Sequence, residues 1–123
     1  MPHVLIVDDE PAIRSLLSLA FRKAGYHVHT ASSAIRAMDA CTSEGIDVIL
    51  SDIQMPEMDG HGLVRWAAGR YPAIRSVLMS GFEVTCSDCP QTGRCTLLRK
   101  PFNPRDAVHI VEQALRTPTN SPN

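Results

Sequence analysis

Short aliphatic runs alternate along the chain with stretches in which apolar residues recur every three or four positions. His3-Val4-Leu5-Ile6-Val7 is too continuous for a strand with one wet face and stops at Asp8 and Asp9, so it predicts a parallel strand buried on both faces. Pro11 suits the first turn of a helix, where its missing N–H costs little. Ile13, Leu16, Leu17, Ala20, Phe21 and Ala24 then form one inward stripe, which Gly25 closes. Residues 26–30 predict a second, poorer strand. A helix from Ser33, with Ala34, Ala37, Met38 and Cys41 inward, runs to the break at Gly45, and residues 47–51 predict a third strand ending at Asp52.

Further on, Leu63, Val64, Trp66 and Ala67 mark a helix that Pro72 ends. Residues 76–80 predict a fourth strand stopped by Gly81, and residues 96–99 a fifth that ends at Lys100-Pro101. Asn103 and Pro104 supply a cap and a first-turn proline for a last helix with Ala107, Ile110, Val111, Ala114 and Leu115 on one face. Strand and helix alternate five times, apart from residues 82–95. The spacings leave room for right-handed crossovers, which give a doubly wound α/β domain with a parallel sheet and helices on both faces. We expect one domain over residues 1–116. Residues 117–123, which hold no core former, are expected to be a disordered tail or the start of a linker.

Composition narrows the function classes. The 123 residues carry 12 Lys and Arg against 13 Asp and Glu, a net charge of −1 that argues against a dedicated nucleic-acid or membrane-surface binder. No aliphatic run approaches the roughly 20 residues of a membrane span, and the N-terminus lacks a secretory pattern, so a cytoplasmic protein is expected. A chain of this size and patterning does not need its four cysteines as disulfide staples.

The chemistry stands at the strand ends, because ligands of doubly wound sheets bind beyond the carboxyl ends of the strands. Asp8 and Asp9 end the first strand, Asp52 the third, Ser80 the fourth and Lys100 the fifth. A single strand-end acid is commonly only a helix cap, and Asp9 or Glu10 could play that part; the joint occurrence of acids, hydroxyl and lysine is what points to a site. Three carboxylates in one cleft repel one another unless a cation joins them, and a hard divalent ion such as Mg²⁺ suits oxygen ligands with open positions for phosphate. A carboxylate beside that ion can attack phosphorus and become an aspartyl phosphate, with Lys100 and Ser80 facing the phosphoryl oxygens. Lys23 and Lys100 are the only lysines, and a compact ammonium is not interchangeable with arginine at a phosphate.

The segments 4–10 and 47–60, with Ser80-Gly81 and Lys100-Pro101-Phe102, resemble the receiver domain of two-component response regulators over about residues 3–116. The resemblance implies a flavodoxin-like sheet of order 2-1-3-4-5. It also implies a signalling module, not an enzyme acting on a separate substrate, which takes phosphoryl from a histidine kinase or phosphotransfer protein onto Asp52. Mg²⁺ (or Mn²⁺) would be bound by Asp9 and Asp52 directly, by Asp8 through water, and by the backbone carbonyl of Gln54. Ser80 matches the switch hydroxyl, Lys100 the phosphate-binding lysine and Pro101 the family's cis-proline.

Three features depart from that pattern. Leu97 stands where the family usually has a switch aromatic, which predicts a modified output face, and Phe82, two residues beyond Ser80, either leans over Asp52 and shields it from water or simply covers the end of the sheet. Residues 82–95, where a fourth helix is usual, show no helical apolar period and contain Pro90 and Gly93, so a shortened helix or a loop is expected. That segment carries Cys86, Cys89 and Cys95 at a spacing that could bind Zn²⁺ or form a redox disulfide, although three thiols without a clear fourth ligand favour inert side chains. Cys41 is poorly placed as a fourth ligand, and His61 is an alternative to it. A metal or redox sensor built on those cysteines is therefore the competing function, and a small phosphatase using Asp52 is a third, weakened by the lack of a cap domain.

Overall fold

In the computed structural model, residues 2–53, 60–80, 95–100 and 102–116 are described, with only the backbone for 60, 61, 80 and 95–97. The elements run β1 (His3–Val7), α1 (Pro11–Lys23), β2 (His27–Ala31), α2 (Ala34–Ser43), β3 (Val48–Asp52), α3 (Gly60–Arg70), β4 (Arg75–Ser80), β5 (Cys95–Arg99) and α4 (Pro104–Arg116). All neighbouring strands pair in parallel in the order β2-β1-β3-β4-β5, the doubly wound topology expected.

The continuous aliphatic runs follow from this layering, because side chains of a strand alternate between two faces and both faces are covered. Val4, Ile6, Val48, Leu50, Val77, Met79 and Leu98 pack with Leu17 and Phe21 of α1 and Ala107, Val111 and Ala114 of α4. Leu5, Val7, Ala31 and Ile49 pack with Ala34, Ala37 and Cys41 of α2 and Leu63 and Ala67 of α3. Burial pushes the Cys41 thiol up to about 11, which leaves it almost wholly protonated near neutral pH and suits a packing role.

The helix ends explain how the chain turns. Gly25 has φ 94°, a left-handed conformation. Its N–H donates to the Arg22 carbonyl and the Tyr26 N–H to the Phe21 carbonyl, both at 3.0 Å, while the Tyr26 ring meets Phe21 edge-on at 5.0 Å. This is a Schellman closure with its hydrophobic contact. Gly25→Ala is expected to lower the unfolding free energy by about 1–2 kcal/mol, the strain of a Cβ in that region. Chemical denaturation checks it, and an unchanged midpoint would contradict it. Ser33 caps α2 by accepting from the Arg36 N–H at 3.3 Å, and the Asn103 side chain accepts from the Arg105 N–H at 3.0 Å at the start of α4.

Two expectations need correction. Leu16 and Ala24 belong to the expected inward stripe of α1, yet Leu16 is 48% exposed and Ala24, at the C-cap, is exposed too; Leu19 is 55% exposed, whereas Ser18 is buried. The line of Ile13, Leu17 and Phe21 meets the sheet, while Leu16 and Leu19 turn toward the open groove beside α4. The strand boundaries also shift by a residue: β2 starts after Tyr26 and reaches Ala31, and β5 starts at Cys95. The expectations for residues 82–94 and for the tail 117–123 lie outside the described residues. No helix among those described is long and apolar enough to cross a membrane.

Candidate functional site

Parallel pairing brings the carboxyl ends of the strands to one edge, and the acids gather there. Asp8 directly follows β1, hydrogen-bonded through its N–H to the Ala31 carbonyl of β2 at 3.2 Å, and Asp52 is the last residue of β3. Asp8 is fully buried, Asp52 nearly so, and Asp9 is exposed. One carboxylate oxygen from each of Asp8, Asp9 and Asp52 falls within 4.8 Å of the others. Lys100, directly after β5, reaches across with its Nζ 3.2 Å from Asp52 Oδ2 and 3.6 Å from Asp8 Oδ2.

The two oxygens of Asp8 have different tasks. Oδ1 accepts from the Glu10 N–H at 2.9 Å, fixing the turn into α1, and Arg14 Nη1 donates to the Asp8 carbonyl at 2.7 Å. Oδ2 is buried with no hydrogen-bond donor among the described residues. Glu10 occupies the N-cap position of α1 without a side-chain capping bond, so the bland reading of that acid as the cap does not hold. Burial is the main cause that raises the Asp8 carboxyl above its ordinary range; the Glu10 N–H and Lys100 oppose it, while Asp52 and Asp9 reinforce it. At Lys100 burial disfavours the charge, but the Asp52 and Asp8 carboxylates outweigh it and hold the ammonium above its usual value.

This donor set fits a hard divalent cation. All its ligand atoms are carboxylate oxygens, one of them is buried and short of a donor, and the acids outnumber the single lysine beside them. Of the residues expected at the site, Asp8, Asp9, Asp52 and Lys100 come together. The Ser80 backbone closes β4 one strand away, in register with Arg99. Gln54, Phe82 and Pro101 lie outside the described residues. Arg14 was not singled out from the sequence; its i+6 spacing from Asp8 carries no signal, because the bond runs from a side chain to a backbone carbonyl.

For the cysteine segment, Cys86 and Cys89 lie outside the described residues, Cys95 belongs to β5, and the zinc or redox reading receives no support from the structure or from related proteins. Leu97 pairs with Leu78 in the β4–β5 ladder.

Comparison with known proteins agrees with this geometry. The family model for the response regulator receiver domain matches residues 4–112. The response regulator receiver protein CpdR of Brucella abortus is 34% identical over 119 residues, spanning 94% of this chain and 98% of that protein. The DNA-binding transcriptional regulator NtrC of Klebsiella pneumoniae is 36% identical over 126 residues, spanning 95% of this chain but only 27% of that protein. Among solved structures, the chemotaxis response regulator CheY4 of Vibrio cholerae superposes with a TM-score of 0.83 at 29% identity, covering 93% of this chain and 98% of that one.

Proposed function

This chain belongs to the response regulator receiver family and is a phosphoacceptor signalling switch, and from that premise we propose that Asp52 is the residue that accepts the phosphoryl group. The observation behind the proposal is the convergence of Asp8, Asp9, Asp52 and Lys100 at one sheet edge. Asp8, Asp9 and Asp52, with the Gln54 carbonyl, would hold Mg²⁺, and Mn²⁺ suits the same oxygens. When bound, the ion offsets the crowded carboxylates and withdraws charge from the phosphoryl oxygens.

The chain's own groups account for the rest of the chemistry. A carboxylate oxygen of Asp52 attacks phosphorus, an O–P bond forms, and the P–N bond to the donor's imidazole breaks with the electron pair leaving on nitrogen. Lys100, already 3.2 Å from Asp52, stays beside the new acyl phosphate as a counter-charge. The Ser80 hydroxyl would follow the phosphoryl group and bias the β4–β5 surface, so that a partner prefers one arrangement. A sensor histidine kinase or phosphotransfer protein supplies the phosphoryl group, in the cytoplasm, and the chain acts by changing partners, not by turning over a substrate.

Incubation with acetyl phosphate and Mg²⁺ tests the assignment. Intact mass should rise by one HPO₃ in the wild type and not in Asp52→Ala, nor in the wild type after chelation of the metal. An adduct that persists in Asp52→Ala would remove the assignment.

A further inference from the structure

The opposite edge of the sheet gathers a second set of ligand side chains. His3 opens β1 and is the register partner of His27, which opens β2; His29 follows two positions later and so returns to the same face. Farther along the same strands, that face carries Leu5, Val7 and Ala31 into the core shared with α2 and α3. His3 Nδ1 and His29 Nε2 lie 3.0 Å apart, their rings 17° from parallel. The His27 ring stacks on His3 with centroids 4.6 Å apart and planes 19° from parallel. His3 and His29 are half-buried and His27 is exposed.

The backbone beneath the rings is pinned on both sides. The His3 N–H donates to Asp47 Oδ2 at 2.7 Å, the Asp47 N–H to the His3 carbonyl at 2.9 Å, and the His27 N–H to the Pro2 carbonyl at 3.0 Å. Three imidazoles thus share one face of a fixed frame at the far edge of the sheet from Asp8, Asp9 and Asp52, with the ring nitrogens of His3 and His29 in contact and His27 stacked alongside.

We propose that His3, His27 and His29 form a binding site for a borderline transition-metal ion of the Zn²⁺ class. Tetrahedral zinc, with Zn–N bonds of roughly 2.0–2.1 Å, sets two ligand nitrogens about 3.3 Å apart. The 3.0 Å separation of His3 Nδ1 and His29 Nε2 therefore needs only a small opening to admit the ion. Without metal, one of these nitrogens carries the hydrogen that the other accepts. Coordination uses both lone pairs, so the donor ring moves its hydrogen to its second nitrogen and, for neutral rings, no proton is lost. His27 supplies the third nitrogen by side-chain rotation on its exposed side, and water completes the shell. Neutral imidazole selects this class of ion over Mg²⁺, so the two edges of the sheet sort hard from borderline cations. An ion held this way clips the edge strand β2 to β1.

The test titrates ZnCl₂ into the full chain with Cys86, Cys89 and Cys95 replaced by Ser, so that thiols cannot answer for the imidazoles. Calorimetry should give one ion per chain, and long-range ¹H–¹⁵N spectra should show the ring nitrogens of His3 and His29 shifting together. His29→Ala should weaken binding by more than ~100-fold, since even a neighbour that only orients a metal ligand is worth about 10–100-fold. His27→Ala should weaken it less, and His109→Ala, at an exposed position of α4, not at all. Circular dichroism and phosphorylation at Asp52 in His29→Ala report that the fold is intact. No saturable zinc uptake, or uptake that His29→Ala leaves unchanged, overturns the proposal.

Discussion

Lys100→Met is expected to lower stability by about 3 kcal/mol in magnesium-free buffer and to slow phosphorylation by ~100-fold or more. The ammonium stands 3.2 Å from Asp52 and 3.6 Å from Asp8 in a pocket where both acids are buried. Removing one partner of a buried ion pair leaves uncompensated charge and costs about 3–5 kcal/mol. The low end applies, because Lys100 itself keeps 23% of its side chain exposed and Asp8 can relieve the crowding by taking up a proton. The kinetic loss follows from the missing counter-charge on the phosphoryl oxygens, for which one fixed donor is worth about 10²–10³-fold. Magnesium should restore much of the stability, since any cation offsets the acids, but not the rate. Denaturation with and without Mg²⁺, alongside the rate of acetyl phosphate labelling, separates the two effects. Full activity in Lys100→Met would show that this contact has no part in transfer.

Asp8→Asn is expected to act in the opposite direction on stability. The folded protein holds the Asp8 proton more tightly than the unfolded chain does, chiefly because the carboxyl is buried. A group whose folded value is raised contributes stability that is fully present below the unfolded value, near pH 4, and is lost as pH rises through the folded value. In chelator, the wild type should therefore lose stability relative to Asp8→Asn as pH climbs from about 4 toward neutrality. The asparagine form should end roughly 1–2 kcal/mol ahead, as when a buried charge is replaced by a neutral group of the same shape. The Asn side-chain oxygen can still accept from the Glu10 N–H, so the turn into α1 is kept. Magnesium should reverse the order, stabilising the wild type and leaving Asp8→Asn nearly unmoved. Urea midpoints across that pH range, with chelator and with Mg²⁺, measure both halves; parallel curves for the two proteins would rule the idea out.

What the sequence reveals of this molecule depends on whether a feature is local. The runs 4–7 and 48–50 announce strands covered on both sides because they are apolar without alternation, and they are buried as expected. The acids and Lys100 could be assembled on paper because a parallel sheet sends all its strand ends to one edge. What alternation cannot supply is phase. It says that Asp8 and Asp9 point opposite ways, but not that Asp8 is the one sealed in and Asp9 the one in water. The same gap misplaced Leu16, since a helical stripe has a width that only its neighbours fix. The histidines of β2 went unread because their meaning lies in His3, more than twenty residues earlier, and appears only when the register is known.

Asp8 also joins two parts of the protein that need not have been joined. Its one oxygen grips the Glu10 amide and its carbonyl receives Arg14, while its other oxygen looks toward Lys100 and Asp52. The first turn of α1 is thereby wired to the crevice by a single carboxylate. A rearrangement of charge among the acids is expected to shift the Glu10 amide proton, two residues along from Asp8, where the protein carries its own built-in voltmeter.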